Sequence, residues 1–134
     1  MANEAVILEL FGQPKGEPLT WTVENTTGIE KGTICSISGA DLTACASSDD
    51  GEYFAGIAST EKVASDGSTT LGLWTKGVFD LKHDAGTSVI GDLVKISGAN
   101  LIATIETGEE KYAFGRALEA ASESEVIRVA VGAL

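Results

Sequence analysis

The chain has one histidine, His83, which stands beside Asp84, and two cysteines, Cys35 and Cys45. An imidazole next to a carboxylate is a starting point for general-base chemistry, and thiolates with imidazole can hold zinc. Neither reading survives the spacing. A lone histidine in a polar connecting stretch has no partner set for nucleophilic catalysis and is expected to be solvated. Zinc sites gather several Cys and His at short spacings, whereas His83 is remote from both thiols. The pairs Asp49-Asp50 and Glu109-Glu110 offer the oxygens that calcium takes. They lack the alternating acids of an EF-hand loop and read as solvated turn charge. The glycines are spread through strand ends, not gathered ahead of a helix and a lysine, which argues against a phosphate-binding loop. Trp21 and Trp74 could stack sugar rings, but each alternates with apolar residues in the manner of core side chains. No catalytic, cofactor-binding or metal-ligating residue is assigned, no cofactor is expected, and the chain is not read as an enzyme.

The elements follow from composition and pattern. A chain of 134 residues is one domain's worth, long enough to bury roughly two thirds of its unfolded surface in one core. Sixteen glycines against two prolines mark many tight turns, the habit of all-β chains. The net charge of −11 argues against nucleic acid as a partner, because phosphate binding needs clustered Lys and Arg. The start, Met1-Ala2-Asn3-Glu4, lacks the basic residues of a secretory signal, and no apolar stretch is long enough to span a bilayer. The expectation is synthesis in the cytoplasm and no membrane partner.

What organises the chain is a duplication. At a shift of 59 positions, residues 32–58 fall on 91–117 without a gap, with ten identities in the 27 aligned. The identities are Gly32, Ile37, Ser38, Gly39, Ala40, Leu42, Ala44, Tyr53, Gly56 and Ala58. Dropping four residues from the next loop then matches Gly77-Val78-Phe79 to Gly132-Ala133-Leu134 and Trp74 to Val129. Turns and apolar spacing are what is repeated, which points to a scaffold presenting a surface. The repeats run from about 29 to 79 and from about 89 to 134, with Asp80 to Ser88 as a polar connection.

Each copy is expected to open with a hairpin whose two-residue turn has Gly39 or Gly98 first. That register sets Ile37 opposite Leu42 and Cys35 opposite Ala44. Its inward face carries Thr33, Cys35, Ile37, Leu42, Ala44 and Ala46, then Asp92, Val94, Ile96, Leu101, Ala103 and Ile105 in the second copy. The other face, with Ile102 among its residues, is mostly polar. Cys35 and Cys45 then project to opposite sides of the sheet and are expected as free thiols. A third strand follows at Tyr53 to Ser59 and Tyr112 to Leu118, and a fourth at Thr69 to Thr75 and Glu125 to Val131. A short helical turn is placed at Glu119 to Ser122. The predicted fold is all-β: a small antiparallel β-barrel or sandwich of two similar halves (29–134) with an extended N-terminal arm (1–28).

The arm holds a strand-like run, Val6 to Phe11, and a second, Leu19 to Val23, separated by a turn-rich stretch with both prolines. It reads either as a first strand capping the barrel or as an arm that adds to a neighbour's sheet edge.

The arm leading into Gly32-Thr33-Ile34-Cys35-Ser36-Ile37, then Gly56-Ile57-Ala58, Gly77-Val78-Phe79 and Gly91-Asp92-Leu93-Val94, resembles the capsid decoration (cement) proteins of tailed viruses, the group with a duplicated tulip-like β-barrel. The resemblance spans about residues 19 to 134. It implies a non-enzymatic virion protein on the outer surface of an icosahedral capsid, a homotrimer that clamps major capsid protein subunits and stabilises the shell. It also implies that the arm lies along the capsid, with Val6, Ile7, Leu8, Leu10, Phe11, Leu19 and Trp21 as contact residues. The alternative function is a carbohydrate-binding or host-adhesion β module.

Overall fold

The structure is a computed structural model that describes residues 5–9, 18–39 and 43–132. It is all-β. Strands run in the order β1 (Val6–Glu9), β2 (Leu19–Thr22), β3 (Ile34–Ile37), β4 (Ala44–Ala46), β5 (Phe54–Ala58), β6 (Thr70–Trp74) and β7 (Gly77–His83). Then come β8 (Thr87–Ser88), β9 (Leu93–Gly98), β10 (Leu101–Thr104), β11 (Gly115–Ala117), β12 (Ala121–Ser122) and β13 (Val126–Val131). One 3-10 turn, Glu110–Tyr112, precedes β11.

The strands form two units of the same plan. One sheet has the order β2-β6-β5-β3-β4, and a single parallel bridge, Thr22 to Thr43, brings its ends together. The other has the order β7-β10-β9-β11-β13, and β13 pairs back onto β7 to close a five-stranded barrel. In both, the first strand is antiparallel to the last and parallel to the third in sequence. The central pairings superimpose residue for residue: Ile34 faces Ile57 and Cys35 faces Gly56, as Leu93 faces Arg116 and Val94 faces Gly115. Even turn hydrogen bonds repeat, Gly32 N–H donating to Ala58 C=O and Gly91 N–H to Ala117 C=O, each at 2.8 Å. Gly32 (φ 86°) and Gly91 (φ 92°) share a left-handed conformation that side chains with a Cβ resist.

The duplicated unit therefore begins a strand earlier than identities suggest, at β2 and at β7. Asp80 to Ser88 is no polar connection: it holds the end of β7 and all of β8, and β7 alternates buried and half-buried residues through His83. The match of the last strand also moves by one. Leu73 pairs with Ala58 and Val129 with Ala117, so Trp74 corresponds to Ala130 and not to Val129.

The hairpin register differs from the expected one by two residues. Ile37 faces Ala44, Ser36 faces Cys45 and Cys35 faces Ala46. In the second unit Gly98 faces Leu101, so the turn is Ala99-Asn100, with Asn100 rather than Gly98 in the left-handed region (φ 56°). Asparagine is among the residues that enter that region most readily, and here its Oδ1 accepts from the Ile34 N–H at 2.6 Å. The equivalent tip, residues 40–42, lies outside the described residues. A shift of two leaves side-chain faces unchanged, so Cys35 is buried, Cys45 exposed, and both are free. A bulge between Leu101 and Ile102 then reverses the faces on β10. Ile102 is fully buried, while Leu101 and Ala103, expected inside, are half-buried. Ile37, also expected inside, is 46% exposed beyond a bulge in the β3–β5 pairing. No helical turn forms at Glu119 to Ser122, whose last two residues make strand β12, and the strand expected from Tyr112 starts only at Gly115.

The apolar residues form two clusters. Val23, Ile29, Cys35, Ala58, Leu71 and Leu73 fill the first unit. Phe79, Leu81, Val94, Ile96, Ile102 and Val129 fill the barrel, joined by Ile34 and Ile57 from the far face of β3 and β5. Strand β3 is thus covered on both faces, and is not the strand with one polar, solvated face that its alternation predicts. Phe54 and Phe114 stack across the junction of the units, their centroids 4.2 Å apart and planes 8° from parallel.

Candidate interaction surface

The acidic turns are not simply solvated. Lys95 on β9 is buried, and its ammonium lies 2.9 Å from Asp50 and 2.8 Å from Glu109. These acids occupy equivalent positions in the two repeats, so one cation clamps both acidic turns together. Burial alone would lower the lysine pKa; hydrogen bonds to Asp50 and Glu109, and their charges, outweigh it and raise the pKa above the ordinary value. The same bond to Lys95, with one from the Glu106 N–H, holds the Glu109 carboxyl below its ordinary range despite some desolvation. Tyr53 and Tyr112, another equivalent pair, meet beside the clamp at 5.2 Å.

His83 is likewise not a solvated loop residue but is buried. Its Nδ1 lies 3.2 Å from Asp84 Oδ1 and its Nε2 lies 2.6 Å from Ser88 Oγ. That sequence of contacts has the outline of a hydrolytic triad, yet Ser88 is itself buried and its hydroxyl is also bonded to Thr104. The Thr104 hydroxyl donates on to Asp92, which accepts from the Val89 N–H as well. The chain of polar groups is a brace beneath the turn Val89-Ile90-Gly91-Asp92. In the first unit the corresponding slots hold Val23 and Ile29, both buried and apolar. Among the described residues no group of three or more His, Cys, Asp or Glu side chains comes together in a way that would hold a metal ion.

The tryptophans do not offer a flat exposed platform. Both are half-buried against the core, and both indole N–H groups are buried. Burial pushes the Cys35 thiol up to about 12, with a smaller push from Cys45, so Cys35 is chemically quiet.

The chain matches the family model described as phage cement protein over residues 13–133. It belongs to the phage cement protein family. The family is one of structural, non-enzymatic phage proteins, and this chain is a capsid-associated virion protein. Comparison with curated proteins finds no match. Among solved structures the cement protein is similar to the head fiber gp8.5 N base of bacteriophage phi29. That likeness has a TM-score of 0.52 at 12% identity and covers 84% of this chain and 91% of the other. At such identity it shows a shared fold.

Of the arm residues singled out from sequence, Val6, Ile7 and Leu8 lie on β1, which pairs with β7 of the same chain. Leu19 and Trp21 lie on β2, an outer strand of the first sheet, with Leu19 exposed and Trp21 half-buried. Leu10 and Phe11 lie outside the described residues. The structure adds exposed apolar residues that the sequence reading passed over. Ile37 and Tyr53 line a groove of about 310 Å³ with Tyr112 and Lys111. Val89 and Ile90 are 63% and 70% exposed at the braced turn, with exposed Leu118 following the Ala117 that bonds to Gly91. Alternation had placed the strands but could not show which turn tips stand clear of the body.

Proposed function

We propose that this cement protein binds the outer surface of an icosahedral capsid as a homotrimer and stabilises the shell by clamping neighbouring major capsid protein subunits. The observation that carries the reading is the family match across residues 13–133. The fold supports it: a five-stranded sheet joined to a closed five-stranded barrel leaves few strand edges open and places function on exposed apolar residues. A contact repeated over many equivalent sites reinforces a shell collectively, and a trimer gains avidity by touching several subunits at once.

The arm contributes to the capsid contact through Val6, Ile7, Leu8, Leu10, Phe11, Leu19 and Trp21. In support, β1 and β2 are each outer strands of their sheets. Removal of the whole segment 1–28 is a poor test, because it deletes β2 and the buried Val23 from the first unit. Removal of residues 2–17 leaves β2 in place.

The test mixes purified protein with undecorated heads and follows co-sedimentation and thermal rupture. Bound protein with a raised rupture temperature is expected, and weaker binding by the chain lacking 2–17. Absence of bound protein together with unchanged rupture refutes the reading. Full-affinity binding by the shortened chain refutes the role of its first strand.

A further inference from the structure

We infer that the turn Val89-Ile90 is a knob that seats in an apolar groove on the first unit of a second copy of this chain, a head-to-tail contact. The inference deepens the multimeric part of the reading above and rests on it in that part only.

The duplication supplies an internal control. The equivalent turn in the first unit is Glu30-Lys31-Gly32-Thr33, with the same glycine conformation. Its internal hydrogen bond is also the same, Thr33 N–H to Glu30 C=O and Asp92 N–H to Val89 C=O, each 3.1 Å. Valine and isoleucine are therefore not needed to make this turn. They are also the two most exposed large apolar side chains among the described residues. The second unit alone carries the brace of Ser88, Thr104 and Asp92 beneath this turn, with the Val89 N–H bonded to Asp92 at 2.9 Å. A rigid turn loses little freedom on docking, which is what an anchor residue requires. Arg116, one of only two arginines in a chain of net charge −11, is fixed at the knob's base by its bond to Gly91 C=O at 2.8 Å.

The groove lies on the first unit, against the Ala99-Asn100 hairpin tip. It has a volume of about 510 Å³ and is lined by Ile29, Val63, Ala64 and Ala99 together with Glu61 and Lys62, whose ammonium is already paired with Asp66. Val63 is 57% exposed there. A turn of apolar side chains flanked by Arg116 and a groove with apolar lining flanked by Glu61 are complementary in polarity and charge. Because knob and groove are different surfaces, the contact is heterologous and generates a ring where the rotation closes. A second copy fits the turn because it offers exposed Val63, with Ala64 and Ala99, to Val89 and Ile90, and Glu61 to Arg116.

The test is disulfide trapping in a Cys45→Ser background, leaving buried Cys35 in place. Ile90→Cys and Ala64→Cys proteins are oxidised separately and mixed, in solution and on heads. The mixture is expected to give a linked pair that neither protein gives alone, and Ile90→Asp is expected to weaken self-association roughly tenfold or more, as loss of a central anchor does. Linkage by Ile90→Cys alone means knob-to-knob contact and overturns the inference. Absence of the mixed pair in solution, and on heads where they bind the protein, overturns it too. Head binding is read separately, so monomers that still bind heads sink the knob contact and leave the capsid reading standing. Self-associating protein that ignores heads does the reverse. Melting curves confirm that each variant is folded.

Discussion

Gly56 and Gly115 are equivalent positions, on β5 and β11, the fourth strand of each unit, and neither has a left-handed backbone. A Cβ added at Gly56 would stand 2.6 Å from Leu73 Cβ and 2.9 Å from Trp74 C=O. At Gly115 it would stand 2.8 Å from Ala130 C=O and 3.0 Å from Val129 Cγ1. In both units, then, the last strand presses on a glycine of the fourth. The obstacle includes a backbone carbonyl, which cannot swing aside as a long side chain can. Overpacking of this kind costs about 1–3 kcal/mol. For a chain of this length each kcal/mol lowers the melting temperature by about 3–5 °C, between the values for smaller and larger domains. Gly56→Ala and Gly115→Ala should thus each melt several degrees below the parent, and the double variant should show roughly the sum where the sites are independent. Gly98→Ala is the matched control. Its added Cβ would meet only Leu101, at 3.6 Å and beyond, and Gly98 is not in the left-handed region. Such a change is neutral or stabilises by roughly 0.4–1 kcal/mol through the unfolded chain. Calorimetry on the three proteins decides. Unchanged melting of Gly56→Ala and Gly115→Ala, or marked loss in Gly98→Ala, would refute the strand registers given above.

The Lys95 clamp makes stability depend on pH at both ends. Glu109 has a lowered folded pKa, so its contribution is present above the ordinary carboxylate range and is lost as pH falls through the lowered value. Lys95 has a raised folded pKa, so its contribution is present below the ordinary lysine value and is lost as pH rises through the raised one. Lys95→Met should flatten both limbs of a melting-temperature profile; a profile identical to the parent's would remove the clamp from the account. Native protein treated with a thiol reagent should modify Cys45 quickly and Cys35 only on unfolding, and two equal fast phases would contradict the burial of Cys35. Trapping through Ile90→Cys and Ala64→Cys reports on the contact between copies.

The duplication was legible because glycines at tight turns and close strand crossings cannot be replaced cheaply, so Gly32, Gly56, Gly91 and Gly115 stayed in register. The first strand of each unit was not. Leu19-Thr20-Trp21-Thr22 and Phe79-Asp80-Leu81-Lys82 share no residue and only an alternation, so β7 passed for a polar connection. The hairpin turn was misplaced by one residue because glycine was given the left-handed position that Asn100 takes. Ile102 was assigned to the wrong face because a bulge leaves no mark on alternation. Lys95 with Asp50 and Glu109, and His83 with Ser88 and Thr104, are contacts between separate strands and turns, which local pattern does not encode. The turn at Val89-Ile90 was passed over, because two apolar residues before a glycine look like the start of a strand. Only its comparison with Glu30-Lys31 shows that the fold does not need them there.

The central claim is that the outer skin of this protein does its work on the outside of a phage head. Electron cryomicroscopy of undecorated heads incubated with the protein tests it most directly. The account predicts regularly spaced added density on the exterior, each feature fitting the two joined units and bridging neighbouring shell subunits. Heads that remain bare at saturating protein, or density confined to the interior, would contradict it.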